Sequence, residues 1–407
     1  MLERTGRRAR RLRITGILIL LVLLSACGGS DTGGGSRASR DYMTLLAEFP
    51  VENQGRGIDL LAPDQEMDHA TAYAQVLSSE SYRYRVEPDA ESANRIRLAA
   101  RWLIDNSDLD GDGKKGWGFP FGWDAFGDGT VNLVNQAYAI DTAIVLLGLL
   151  DALDTDGIWS DAERREIVGL IREVSVTWSA EFWTQTSEGN GYFWYSTNVA
   201  DNHNVLNITA MFCGVLQRFL HDHGSGLTAG ESGMLGSRAD DGIRLIESEV
   251  ILFGGKPFWN YAESPGVATN TNDMVHHVYI LYGTQMYLDF GGGVALRWTR
   301  EDALGSARLF TGGGIMYNYP HDPFFTNPRI SLDAPANLWG LGMLIAYAAQ
   351  MGEESLAESA VRTIKASYGD YPDMTLFPPG WISDTRVYPR FTAHVLFGLA
   401  VRDFAGE

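Results

Sequence analysis

The sequence predicts an all-α domain of repeated helical hairpins, and two observations carry that prediction. Five apolar segments read as helices that are hydrophobic nearly all round, the pattern of helices buried on every side. Three of them, carrying Gly148, Gly214 and Gly283, share a spacing: seven residues before each glycine stands a polar residue, Asp141, Asn207 or His276. Seven residues is about two helical turns, so glycine and polar residue share a face. The segments recur every roughly 55 to 70 residues, room for a helix, a loop and a return helix.

At the N-terminus, six arginines between Arg4 and Arg13 precede an unbroken apolar run from Ile17 to Leu24. A basic segment, a short apolar core and small residues make a secretory signal, and eight apolar residues fall well short of the roughly 20 that span a bilayer. Leu24-Ser25-Ala26-Cys27 resembles the bacterial lipobox. That resemblance implies that residues 1–26 are a lipoprotein signal peptide and that Cys27 is diacylated, anchoring the protein to a membrane. Gly28, rather than Asp, then implies the outer membrane by the enterobacterial sorting rule. Residues 27–40 (the lipidated Cys27 followed by GGSDTGGGSRASR) read as a Gly/Ser tether with nothing to bury, and 41–407 as one domain.

Within that domain, Asp41 to Pro50 and Asp64 to Ser79 read as an opening pair of helices, followed by Glu91 to Asn106. Ser160-Asp161-Ala162-Glu163 is a capping box that starts a helix of about 17 residues. The last two apolar helices, Ala336 to Ala349 and Phe391 to Phe404, carry Asn337 and His394 near their starts. Hairpins at this spacing predict an α/α-toroid of five or six hairpins. Its inner helices would bring their N-terminal polar residues to one cleft. Cys213 lies mid-helix among apolar residues and reads as an inert core thiol.

The formal charge of −19 becomes −24 without residues 1–26, which hold six Arg and one Glu. So acidic a chain is unsuited to nucleic acid. Beyond Cys27 only Cys213 remains, so no internal disulfide forms and stability must come from the core.

Several short motifs carry a resemblance: Trp117-Gly118-Phe119-Pro120, Asp141-Thr142-Ala143-Ile144, Asp201-Asn202-His203-Asn204-Val205 with Asn207, Trp259-Asn260-Tyr261, and His276-His277-Val278-Tyr279 with Tyr282. Their order resembles toroid proteins encoded with bacterial polysaccharide biosynthesis. It is similar, more distantly, to heparinase-like lyases and the helical domain of glucuronyl C5-epimerases. The resemblance implies a polysaccharide or oligosaccharide substrate and uronate chemistry, either β-elimination or C5 epimerisation, with no organic cofactor. By it, His203 or His276 would be the base, Tyr279 or Tyr282 the acid, and Asn202 or Asn207 the carboxyl partner. Arg390 would anchor charge. His277, Asn337 and His394 join the binding residues. Asn202-His203 also suits a plain helix cap.

Two other readings stay open. A glycoside hydrolase needs paired carboxylates, for which Asp141 with Asp201 or Asp273 are candidates among several acidic residues that include Glu263 and Asp333. A non-catalytic glycan-binding or exopolysaccharide-assembly lipoprotein would keep only the aromatic surface. Trp117, Trp123, Trp194 and Trp259 belong to aromatic-rich loops suited to stacking on sugar rings. Finally, Asp108-Leu109-Asp110-Gly111-Asp112-Gly113 matches the opening of a calcium loop, with oxygen ligands at positions 1, 3 and 5 and glycine at 6. Position 12 is Phe119 rather than Glu, so the closing ligand is missing. The expected ion is a structural Ca2+.

Overall fold

The computed structural model describes residues 39–261, 272–321, 334–369 and 388–405. The signal, Cys27 and the tether as far as residue 38 lie outside these, as do Glu263 and Asp333. Among the described residues the helices are α1 (Arg40–Leu46), α2 (Ala70–Val86), α3 (Ala90–Asp105), α4 (Ala139–Leu153), α5 (Asp161–Glu181) and α6 (Leu206–His223). They continue as α7 (Ala229–Ser248), α8 (Met274–Asp289), α9 (Arg300–Ala307), α10 (Leu338–Gln350), α11 (Glu354–Tyr368) and α12 (Pro389–Phe404).

The even-numbered helices form the inner ring: α2 packs on α4, α4 on α6, α6 on α8, α8 on α10, α10 on α12, and α12 back on α2. The odd-numbered helices from α3 onward return the chain outside it. This is the α/α-toroid, with six inner helices. The glycine spacing has a steric cause. A Cβ on Gly283 would lie 2.4 Å from the Ala210 carbonyl, and one on Gly148 would lie 2.8 Å from that of Ala74. Gly342 and Gly398 make the same close approach between α10 and α12. Glycine therefore sits where two inner backbones touch. The sixth inner helix, α2, has no glycine and presents Ala72 and Ala74 instead.

Four inner helices are each preceded by a small antiparallel hairpin, an addition to the expected all-helical pattern. These are β1 (Arg56–Asp59) with β2 (Ala62–Asp68), β3 (Trp183–Gln185) with β4 (Gly191–Phe193), β5 (Ile251–Phe253) with β6 (Lys256–Phe258), and β7 (Thr311–Gly312) with β8 (Ile315–Met316). The first of them corrects the helix expected from Asp64. Residues 62–68 pair as a strand, with Asp64 to Glu66 exposed and Met67 turned inward, so α2 begins only at Ala70. Elsewhere the local signals hold. Ser160 and Glu163 cap each other at the start of α5, which runs for 21 residues. Ser39 caps α1, whose first helical residue is Arg40, one residue ahead of the expected boundary. Cys213 is a buried free thiol whose pKa burial pushes well above the ordinary value. No helix among the described residues is long and apolar enough to cross a membrane.

Candidate functional site

The N-terminal turns of four of the six inner helices line a cavity of about 380 Å³. Helix α4 contributes Ile140, α6 Asn207 and Ile208, α8 His276 and Tyr279 with Asp273 at its cap, and α10 Trp339. Connecting segments add the aromatic walls: Phe119, Trp123, Tyr195, Tyr261 and Tyr319. The helices α2, α4, α6 and α12 start without a side-chain cap bond. Of these, only α4 and α6 reach the cavity wall, and the first N–H of α4 is bonded to the Tyr195 carbonyl, so the start of α6 is the uncapped terminus whose partial positive charge faces the cavity.

His276 is held by Asp273, the N-cap of α8. One carboxylate oxygen accepts the His276 backbone N–H at 3.0 Å and lies 2.6 Å from Nδ1. The edge of Tyr261 meets the imidazole at 4.3 Å between centroids. Tyr279, one turn further along the same face, belongs to a longer chain. Its hydroxyl accepts the Trp339 indole N–H at 2.9 Å and lies 2.7 Å from His394 Nε2. His394 Nδ1 faces the Arg390 carbonyl at 2.7 Å. A carbonyl can only accept, so Nδ1 carries the proton. Burial holds the His394 pKa down to about 3, so the ring is neutral and Nε2 is bare. The Tyr279 hydroxyl therefore donates to His394.

Asp141 follows the wall residue Ile140 but is not itself part of the wall; burial pushes its carboxyl up to about 7, opposed by the nearby Arg390. Asp141 Oδ2 and Asn207 Oδ1 are both buried without a protein partner. Arg390 is no free anchor for substrate charge. Its guanidinium is buried and paired with Asp59 at 2.8 and 3.2 Å. Among the described residues the cavity wall includes no Arg or Lys.

Other expected site residues lie elsewhere. Asn202 and His203 leave the short helical turn Val199–Asp201 toward a separate shallow recess, where Asn202 Oδ1 accepts from Thr184 at 2.8 Å. His203 sits edge-on to Phe126. Of the adjacent histidines, His277 points outward and is buried against α9, bonded to Ser306 at 2.7 Å. Tyr282 lies a turn deeper than Tyr279, buried, and accepts from Gln350 at 3.0 Å; it borders a cavity at the opposite, C-terminal end of the ring. Trp117 and Trp259 are buried, their indoles bonded to the Leu103 and Ile246 carbonyls. Trp194 bonds Thr184 outside the cavity. Asn337 caps α10. Asp201 is pinned by Asn132 and Ser196 and is not part of the cavity wall.

The wall residues Tyr319 and Trp339, and Asp59, the partner of Arg390, escape the sequence reading. Trp339 follows the apolar pattern of its helix, and Asp59 acts across 331 positions of chain. Asp108, Asp110 and Asp112 offer carboxylate oxygens within 4.8 Å of one another, the one such group among the described residues. Partial burial, then the neighbouring Asp112, pushes Asp110 up to about 6.

No protein-family model and no curated protein matches the sequence. Solved structures do match in fold. A cellobiose 2-epimerase from Spirochaeta thermophila is similar over 90% of this chain and 97% of its own, with TM-score 0.59 and 13% identity. An α-1,6-mannanase of Salegentibacter matches over 89% and 97%, with TM-score 0.56 and 12% identity. An unsaturated glucuronyl hydrolase specific for heparin matches over 89% and 95%, with TM-score 0.54 and 10% identity. At these identities the likeness establishes the toroid fold and nothing finer.

Proposed function

We propose that this protein is a carbohydrate-active enzyme that moves a proton at a sugar carbon beside a carboxylate, by β-elimination or C5 epimerisation of a uronate. One observation carries the reading. Two acid–base couples, His276 with Asp273 and Tyr279 with His394, meet a single aromatic cavity one helical turn apart. The same fold houses an epimerase, glycoside hydrolases and a polysaccharide lyase, which supports a sugar as the occupant.

The couples divide the work. Tyr279 takes the C5 proton on its oxygen as its own proton passes to His394 Nε2. His276, its Nδ1 held by Asp273, gives the proton that its Nε2 carries. In elimination the C5–H electrons form the C4=C5 bond, the C4–O bond breaks, and the leaving oxygen receives the His276 proton. In epimerisation C5 itself is reprotonated. These roles exchange those expected from residue type, because Tyr279 points its proton away from the cavity at rest. Asn207 and the uncapped start of α6 stabilise the charge that develops on the carboxylate, since the described cavity wall includes no Arg or Lys. Incubation with uronate polymers tests this. Unsaturated product marks elimination, solvent deuterium at C5 without cleavage marks epimerisation, and neither, with wild-type protein folded, refutes the reading.

A hydrolase is the second reading, favoured by the Asp141 carboxyl, which burial lets hold a proton up to about pH 7, with Asp273 as the second carboxylate of the pair. New reducing ends without unsaturated product would establish it. Binding without any reaction would mark a glycan-binding assembly factor.

We also propose that Cys27 is lipidated and holds the protein at the outer membrane of a bacterial envelope. Fatty-acid labelling lost in Cys27→Ala tests this. A structural Ca2+ at Asp108, Asp110 and Asp112 is proposed on the cluster geometry, with a weak shell because Phe119 replaces the closing ligand.

A further inference from the structure

We propose that Asp59, in the hairpin ahead of the first inner helix, is a positioning residue of the cavity. By gripping Arg390 it fixes the first turn of α12, so that the Arg390 carbonyl holds the Nδ1 proton of His394 and leaves Nε2 to receive the proton of Tyr279. The proposal deepens the reading of Tyr279 as a reacting group, while the hydrogen-bond chain itself stands independently of the reaction.

Asp59 ends β1, and Arg390 is the second residue of α12. Both carboxylate oxygens reach the guanidinium, at 2.8 and 3.2 Å, and Oδ1 also accepts the Leu61 N–H at 3.0 Å. Asp59 is thus fixed from both sides. The hairpin touches the helix start directly: a Cβ on Gly57 would lie 2.6 Å from the Pro389 ring. The gripped guanidinium lies over Trp339 at 5.1 Å and Phe119 at 4.8 Å, two wall residues, and Trp339 is also the donor to Tyr279. One ion pair therefore sets the His394 carbonyl partner and touches the indole that fixes the Tyr279 oxygen.

The charge matters as much as the geometry. A buried pair that loses one member leaves an uncompensated charge. Arg390 without Asp59 would be an unopposed cation beside His394, disfavouring any proton arriving on Nε2. The charged and titratable groups around this turn are Arg390, Asp59, His69, Asp141 and Tyr279. Although burial alone would raise it, the Asp59 carboxyl is held below its usual range by Arg390, so it is ionised and balances the guanidinium.

The test is imidazole 15N and 1H spectroscopy on the full chain, with the His394 signals assigned through His394→Gln. In wild type a single neutral tautomer, protonated at Nδ1, is expected from about pH 5 to 8. Asp59→Asn should bring in the second tautomer and speed solvent exchange of the Nδ1 proton at least about tenfold. Asp59→Glu should restore the single tautomer. Asp68→Asn loosens the same hairpin, by removing the ion pair with Arg56, and should leave the His394 signature intact. An unchanged signature in folded Asp59→Asn, or an equal loss in Asp68→Asn, overturns the proposal. Should Asp59→Asn not fold, the neutral pair Asp59→Asn with Arg390→Gln takes its place: mixed tautomers support the proposal and a single one refutes it. Absence of sugar chemistry in wild type would sink the proposed function alone, since the tautomer is read without substrate.

Discussion

The Tyr279 hydroxyl donates to His394 Nε2 across 2.7 Å, joining two inner helices through residues 115 positions apart in sequence. The direction is forced, because the other imidazole nitrogen faces a carbonyl and the ring is neutral. A phenol so oriented offers the cavity an oxygen lone pair rather than a proton. Burial raises the Tyr279 pKa well above its ordinary value, so a free tyrosinate is excluded as the base. Proton removal by this residue therefore has to be coupled to transfer onto His394.

Tyr279→Phe keeps the ring and deletes the relay. The expected outcome is a fall in kcat of roughly 10²- to 10³-fold with KM changed only a few-fold, the mark of an interaction made in the transition state. His394→Gln should match it, and the double variant should be no worse than either, since the two act as one unit. Steady-state kinetics on a uronate polymer reads all three. Additive losses would show that the residues act separately.

Asp141 makes stability depend on pH in a defined direction. Its carboxyl titrates near 7 in the folded chain and near 4 when unfolded. Between these values the folded state binds more protons, so this residue's contribution falls as pH rises and is fully lost above about 7. Asp141→Asn escapes that loss. Relative to wild type the variant should gain stability from pH 4 to 8, by up to about 4 kcal/mol. Urea unfolding at both ends of the range measures it, and a difference independent of pH would mean that Asp141 does not titrate there.

Gly283→Ala would place a methyl carbon 2.4 Å from the Ala210 backbone, where α6 and α8 touch. Backbone cannot yield as a side-chain tip does, so the helices must part. A loss of about 1–3 kcal/mol is expected from this overpacking. Gly169→Ala is the control, on outer helix α5 with open space around it, and should be neutral or slightly stabilising. Denaturant midpoints of the two variants decide it.

The ring was legible because its signals are local. Asp141, Asn207 and His276 precede their glycines by two turns, and all three do stand in the first turns of inner helices. Helix α2 was read as a helix, though from Asp64, but not as an inner one, because it packs through alanines and buries Ser79, Glu80 and Ser81, polar residues that mask an inner helix. The site was legible in part. His276 and Tyr279 reach the cavity through helical spacing, whereas Asn202 and His203 sit on irregular chain whose direction no periodicity encodes. Arg390 looked available because the sequence gives no hint of Asp59 more than three hundred residues away. Tight pairing at that distance is a property of ring closure, not of any local pattern.

The acidic loop yields the last prediction. Asp108, Asp110 and Asp112 crowd their oxygens within 4.8 Å, an arrangement whose mutual repulsion a divalent cation would relieve. Gly111 and Gly113 have φ of 73° and 81°, supplying the left-handed turns that wrap the loop. With Phe119 packed into the cavity wall rather than offering a closing carboxylate, affinity should fall in the weak range of extracellular calcium modules, about 10⁻⁴–10⁻³ M. At about 5 mM Ca2+ the folded state would then gain roughly 1–2 kcal/mol, raising the melting temperature by a few degrees. EGTA should reverse the gain and Asp110→Asn should abolish it, with Mg2+ at the same concentration giving less. An Asp110→Asn protein that still responds to Ca2+ would place the ion elsewhere. Because this loop leads directly into Trp117 and Phe119, calcium should also slow amide exchange across residues 114 to 123 if the ion braces the cavity wall.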